Sequence, residues 1–460
     1  MKLLHKLTLQ FEEIISKIRA FALCTFLLMP AMITIHAQEF TWSYGAGNSD
    51  GIFLSNPITT GTVQINPDAS LALLSALSGN TTLFICQVAV DQRSILIMPM
   101  LGANGTANMT VTGNDGVGGT VSKIIPITVL NPKNYGLIFR TSDGKFFLDI
   151  DSDGAINTGD MEYTPAGATW SSGTLSLNGF SWVTPAPVAL TILGGTDLNL
   201  NISGTNTLTS AFGASVTNST RGISASGIKL NIDGSGTLNV TADGTTSGDS
   251  YGINGNISVT GGTVRVTGGT IATGTGNSSY GISGNVTVSG GSLTATGRAG
   301  RYSHGISGML TVSGGSITAT GGTAITGSNG IYGMGASITI TGGTVNTTGE
   351  TAGSSSYGIS CNSPVKVTGG TLTAQGNTRA LGVSAFTPPA AYSYWMNTTE
   401  APSGTEIIVP DGTAFDNDAD TYKYVKIDAA TNYGLIFNTS DGKFYLDRNN
   451  NGFYNSGTDT

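Results

Sequence analysis

Asp149, Asp151, Asp153 and Asp160 fall at positions one, three, five and twelve of a twelve-residue stretch, with Gly154 at position six. Oxygen ligands at this spacing, with a Gly to let the chain turn sharply, form the pattern of a calcium loop. Four carboxylates on one short turn repel one another unless a cation neutralises them. Ca2+ is therefore the cofactor the residues suggest, with a solvated Asp-rich turn as the competing reading. Two departures from an EF-hand stand out. Position twelve is Asp rather than the longer Glu, and the flanking residues read as strands rather than helices. A second copy keeps Asp447, Asn449, Asn451 and Gly452 but has Thr458 at position twelve. With one carboxylate left, it is expected to bind far more weakly.

Catalytic groupings are sparse. Between residues 198 and 399 the acids are Asp233, Asp243, Asp249 and Glu350, against seven Lys and Arg. No two of these acids occupy one position in neighbouring repeats, so the carboxylate pair of a glycosidase is not apparent. His304 is the one His after the first 36 residues, and its slot holds Tyr in other repeats, which favours a loop position over a general base. A non-catalytic protein is expected. The Gly-rich phrases lack the Lys and the following helix of a phosphate loop.

Binding is the chemistry left. Tyr251, Tyr280 and Tyr357 share one repeat slot with Arg221, His304 and Asn329. Facing outward, this stripe could lie against the apolar C–H faces of sugar rings; facing inward, it is a core or corner ladder, the reading favoured here. Arg298 and Arg301 are placed to meet carboxylates.

The elements that carry these residues repeat. The phrase Val-Thr-Gly-Gly-Thr-Val at Val259 returns at Val288, Val312, Ile340 and Val367, with a mean step of 27 residues. A second phrase, Tyr251-Gly252-Ile253 and its copies, alternates with it. Such a period marks a solenoid or an array. Within each repeat apolar residues alternate with polar ones, as in Val264-Arg265-Val266, so the units are short strands with one apolar face. The paired Gly marks corners where a side chain would clash or φ must be positive. Three short strands per repeat make one coil of a right-handed parallel β-helix. Ser258, Thr287, Thr311, Thr339 and Lys366 then form one outward column. Arg265, Thr294, Thr318, Asn346 and Thr373 form the next.

Composition agrees. Of 460 residues only 10% are charged and 67 are Gly, while 39% are hydrophobic, enough for a core and far from a charged helical enzyme. A net charge of −8 gives no reason to expect nucleic acid. Residues 1–37 read as a signal peptide: Lys2, Lys6, Lys17 and Arg19 precede an apolar run over residues 20–35, shorter than the roughly 18 residues that span a bilayer. No later stretch is apolar enough to cross a membrane, and the mature protein is expected to be secreted or at the cell surface. Residues 38–132 read as an Ig-like β-sandwich, closing on a hairpin from Ala107 to Val129. Residues 133–187 form a β-rich connector carrying the Asp-rich loop, 188–386 the β-helix, and 387–431 a capping segment. Residues 432–460 begin a second, truncated copy of the connector, since 134–160 and 432–458 agree at 17 of 27 positions. Cys86 and Cys361 stand in no motif and read as small buried residues.

The two repeated phrases, with Thr-rich strands between them, resemble a bacterial family of carbohydrate-binding β-helix domains. That family is similar in fold to the pectate lyases and associated with cellulose and acidic sugars. Residues 173–180, Gly-Thr-Leu-Ser-Leu-Asn-Gly-Phe, look like its opening strand. The family often has an acidic residue before Gly-Ile, linked to calcium; here that slot holds Tyr, His, Asn or Arg, so no ligand carries over. The leader ending in Ala37-Gln38 looks like those of Bacteroidetes-type surface proteins. The resemblance implies a secreted, non-catalytic polysaccharide-binding protein. The alternatives are a structural adhesin or spacer solenoid of the cell surface, and a divergent polysaccharide lyase.

Overall fold

A computed structural model describes residues 40–42, 52–55, 61–67, 72–88, 94–100, 103–114, 120–195, 197–213, 218–272, 277–333, 337–387, 392–400, 407–409, 422–429, 434–447 and 454. The expected signal peptide, residues 1–37, and the second-copy positions Asn449 and Asn451 lie outside them. The described residues contain no α-helix, and the chain divides into two compact units, residues 1–132 and 133–460.

The first unit has two four-stranded sheets. One runs Phe40–Trp42, Gly61–Pro67, Ser94–Pro99, Phe84–Val88; the other runs Ile52–Ser55, Thr120–Leu130, Gly105–Asn114, Ala72–Ser78. Phe84, Ile95 and Ile97 of one sheet and Met109, Val111, Ile125 and Ile127 of the other share a single core, as in a small sandwich.

The second unit is a three-sided parallel β-solenoid of about seven coils. Period-two burial builds each side: in Thr263–Thr267 the chain buries Val264 and Val266 and exposes Arg265. Sheet one stacks Val188–Leu193, the start of Thr220–Gly234, the start of Ser250–Val259, Ser278–Ser283, Gly300–Ser307, Ala324–Gly333, Ser355–Cys361 and Arg379–Val383. Sheet two carries Val259, Val288, Val312, Ile340 and Val367 as one buried column, and sheet three carries Val264, Leu293, Ile317, Val345 and Leu372. The outward columns follow the register expected, from Ser258 to Lys366 on sheet two and from Arg265 to Thr373 on sheet three.

Glycine makes the corner between sheets two and three. The second Gly of each pair, from Gly262 to Gly370, has φ of +65 to +76°, which other residues rarely adopt. A Cβ on the first, Gly290, would stand 2.2 Å from the Thr260 carbonyl oxygen of the coil below.

Both ends of the column are covered, which spares the core and the end strands from water. At the start, strands Thr174–Asn178 and Ser181–Thr184 of the connector already stack under Leu198–Ser203 and Thr205–Ser210. The hairpin Gly136–Arg140 and Lys145–Asp149 lays its first strand parallel to Val188–Leu193. Its Phe139 packs on Phe146 and Trp170, at centroid distances of 4.7 and 5.3 Å. At the far end Tyr424–Ala429 pairs antiparallel with the last strand of sheet three and with Tyr392–Asn397. Cys361 is buried in the solenoid, while Cys86 is half-exposed in the first unit.

Candidate functional site

The slot before Gly-Ile forms one continuous row on sheet one. Arg221, Tyr251, Tyr280, His304, Asn329, Tyr357 and Arg379 are successive register partners. Simple alternation would put each Tyr on the same side as the Ile two residues on. The Gly between them breaks that alternation: Gly252 and Ile253 both turn inward, and Tyr251 is left half-buried on the outside. A Cβ on Gly252 would meet Val266 at 2.4 Å and the Gly281 carbonyl oxygen at 2.6 Å, so Gly at this slot is a requirement of the inner wall.

The row is bound to itself. Tyr251 and Tyr280 stack at 5.0 Å with planes 5° apart, and Arg221 lies 5.2 Å over the other face of Tyr251. Tyr280 continues onto His304 at 5.4 Å, and His304 onto Tyr332 at 4.6 Å. The Tyr251 hydroxyl donates to Asp249 Oδ2 at 2.9 Å; burial first, and this carboxylate second, hold the phenol well above its usual range. Because the ring faces of Tyr251 and Tyr280 are spent on their neighbours, this part of the ladder turns edges, rather than open faces, to solvent.

His304 departs from its expected role. It is 3% exposed, so it spaces the ladder from within and offers no surface to a ligand. Burial pushes its pKa down to about 4. Asn329 Nδ2 lies 3.1 Å from Nδ1; with the amide donating, the ring nitrogen is unprotonated.

Beside the ladder runs a second outward row, Ser224, Asn254, Ser283, Ser307, Tyr332 and Ser360, half-buried throughout. At the start of both rows a groove of about 540 Å3 opens, lined by Ser152, Asp153, Thr191, Arg221 and Ser224 among others. Arg221 Nε there is buried without a hydrogen-bond partner. Arg298 stands apart from the ladder, in a second groove of about 440 Å3 with Asp243, Thr241 and Thr270. Arg301 is exposed, 5.5 Å over Tyr302. The expected sugar-binding residues therefore fall into a ladder on sheet one and two separate arginines at the corner beside it.

One row escaped the sequence reading. Ser250, Ser279, Ser303, Ser328 and Ser356, each just before the ladder residue, are fully buried. Their hydroxyls accept backbone N–H groups of Gly269, Arg298, Gly322, Glu350 and Asn377 at 2.7–3.0 Å. This serine spine fastens the corner between sheets three and one. Its signal was legible, since the phrase is Ser-x-Gly-Ile in all five repeats.

The Asp-rich loop joins Lys145–Asp149 to Met161–Tyr163, an antiparallel pair, so its flanks are strands. Ligand oxygens of Asp149, Asp151 and Asp153 lie within 4.8 Å of one another. Asp160 stands outside this cluster: its two oxygens accept the N–H groups of Ile150 and Asn157 at 2.9 and 3.0 Å. Burial, then Asp160, pushes the Asp149 pKa up to about 6. The Asn157 side chain holds Asp151 below the usual carboxylate range. In the second copy the hairpin Gly434–Asn438 and Lys443–Asp447 forms again.

The architecture defines the class, a parallel β-solenoid protein. Compared with protein-family models, curated proteins and solved structures, the chain matches none. No helix of the described residues is long and apolar enough to cross a membrane.

Proposed function

We propose that this is a secreted, non-catalytic polysaccharide-binding solenoid and that a linear glycan lies along sheet one, across successive coils. The observation that carries the reading is the paired outward rows. Arg221, Tyr251, Tyr280 and Tyr357 each present a guanidinium or phenol edge beside a hydroxyl or amide of the second row, while at the coils of the buried His304 and Asn329 the second row alone, Ser307 and Tyr332, faces out. Such groups suit a neutral or weakly acidic polymer whose repeat offers hydroxyls at every step, through weak and wet contacts that add along the chain. Arg221, at the mouth of the groove, and Arg379 at the far end would meet carboxylates of an acidic sugar.

The non-catalytic part is supported by how the solenoid acids are used. Asp249 accepts Tyr251 and the Ser278 N–H, and Asp243 accepts the N–H groups of Gly213 and Gly244. These carboxylates are spent on holding loops. Secretion is supported by the leader's charged and apolar pattern.

The test is binding of the full chain to a panel of immobilised polysaccharides. Tyr280→Phe with Tyr357→Phe keeps the ring stack and removes two hydroxyls. This double variant is expected to bind at least about fivefold more weakly with an unchanged circular-dichroism spectrum. Undiminished binding would move the glycan to another face, and a wild type that binds no glycan would leave a spacer solenoid in its place.

A further inference from the structure

The geometry points to a divalent-cation site of the calcium class held by Asp149, Asp151 and Asp153, in which Asp160 is a positioning residue rather than a ligand. The site acts as a clasp that fixes the first coil's cover. Three observations carry this. The three carboxylates bring oxygens within 4.8 Å of one another, and two oxygens bound at 2.3–2.6 Å to one Ca2+ can be no more than about 5 Å apart. Asp149 is 3% exposed, and its Oδ1 is buried without a hydrogen-bond partner while Oδ2 accepts the Gly154 N–H at 3.2 Å. A buried carboxylate oxygen with nothing to bind is costly, and a cation is the partner that this one lacks. Finally, the ion pairs among the described residues join Arg140 to Asp143, Lys145 to Glu162, Lys229 to Asp197 and Lys426 to Asp428. None neutralises the cluster. The Asn157 amide bridges it, donating to Asp151 at 2.7 Å and to Asp153 at 3.3 Å, and the Asp153 N–H donates to Asp151 at 3.2 Å; neither carries a positive charge.

The fold assigns the division of labour. Asp160 spends both oxygens on backbone N–H groups at the two ends of the loop, which sets its curvature before any ion arrives. Ser152 and Gly154 take φ of 61° and 75°, turning the three aspartates toward one point. A Cβ on Gly154 would lie 3.7 Å from Thr191 Oγ1, so the loop rests on the strand Val188–Leu193 that opens the first coil. An ion gathering Asp149, Asp151 and Asp153 stiffens this contact and with it one wall of the groove that holds Arg221.

Calcium chloride titrated into the chelator-treated full chain tests the proposal. The wild type should bind one equivalent with a Kd in the range of about 10⁻⁴–10⁻³ M typical of extracellular sites. Its melting temperature should rise by a few degrees, and hydrogen exchange should slow across residues 145–163 and 188–193. Magnesium at the same concentration should do less. Asp149→Asn should lose binding and both effects. So should Asp153→Asn, an exposed position that keeps the fold if the first variant does not. Asp160→Asn should bind one equivalent with affinity reduced less than about tenfold. Absence of binding by the wild type, its retention in Asp149→Asn or Asp153→Asn, or its loss in Asp160→Asn would overturn the assignment.

Discussion

At the scale of single residues, the ladder on sheet one depends on which side chains tolerate enclosure. His304 is surrounded by Tyr280, Tyr302, Tyr332 and Asn329, an environment that can solvate a neutral ring but not an imidazolium. Its folded pKa of about 4 lies below the value near 6.5 of an unfolded His. As pH falls, the unfolded chain therefore takes up this proton first. The His304 contribution to stability is whole above pH 6.5 and declines as pH falls towards 4, by up to about 3 kcal/mol. His304→Asn places in the slot the residue that Asn329 already occupies one coil on, and it should lack this decline. Unfolding free energies of the two proteins at pH 7 and pH 4.5 check the point. A difference between them that stays constant with pH would show that the ring is not held neutral.

At the scale of the element, each strand is a two-sided statement. Val288 and Val312 are fully buried in the sheet-two column, while Thr287, between Val286 and Val288 in the strand, is exposed. Val288→Asp places an unpaired charge in a dry stack and should cost several kcal/mol, enough to unfold the coils around it. Thr287→Ala should cost less than about 0.5 kcal/mol. Urea unfolding followed by circular dichroism distinguishes them, and equal sensitivity at both positions would contradict the register. This register was readable in advance because Val-x-Val and Gly-Gly recur at nearly fixed spacing, and one inward column fixes its outward neighbour. Sheet one was harder to read. Its Tyr-Gly-Ile phrase turns two successive residues inward, so a period-two argument places Tyr251 on the wrong side. The inward Gly is required by the carbonyl of the coil above, a contact between residues some 29 positions apart that no local pattern shows. For the same reason the phrase around His304 does not show that Tyr280 and Tyr332 of neighbouring coils enclose its ring. The Asp-rich loop was legible as a motif, but the separate task of Asp160 depended on backbone N–H groups whose directions only the folded hairpin fixes. Within the connector, Thr174–Asn178 was legible as an opening strand through the resemblance, whereas Ser181–Thr184 lies outside the repeated phrases and was not.

At the scale of the whole second unit, one apolar core runs from Leu137 in the opening hairpin to Ile427 in the closing strand. A solenoid of this kind gains stability from nearest-neighbour stacking, and its usefulness lies in repetition: the coils of Arg221, Tyr251, Tyr280 and Tyr357 set a polar pair of rows along one face, and those of the buried His304 and Asn329 continue the second row alone. A ligand that uses the face must therefore gain from length. The full chain titrated calorimetrically with a series of linear oligosaccharides, from two sugars to eight, tests this directly. The account predicts affinity that rises steadily as further coils engage, micromolar or weaker at each length, and that falls for every length in the Tyr280→Phe, Tyr357→Phe variant. Affinity that is independent of chain length, or a double variant that binds like the wild type, would contradict it.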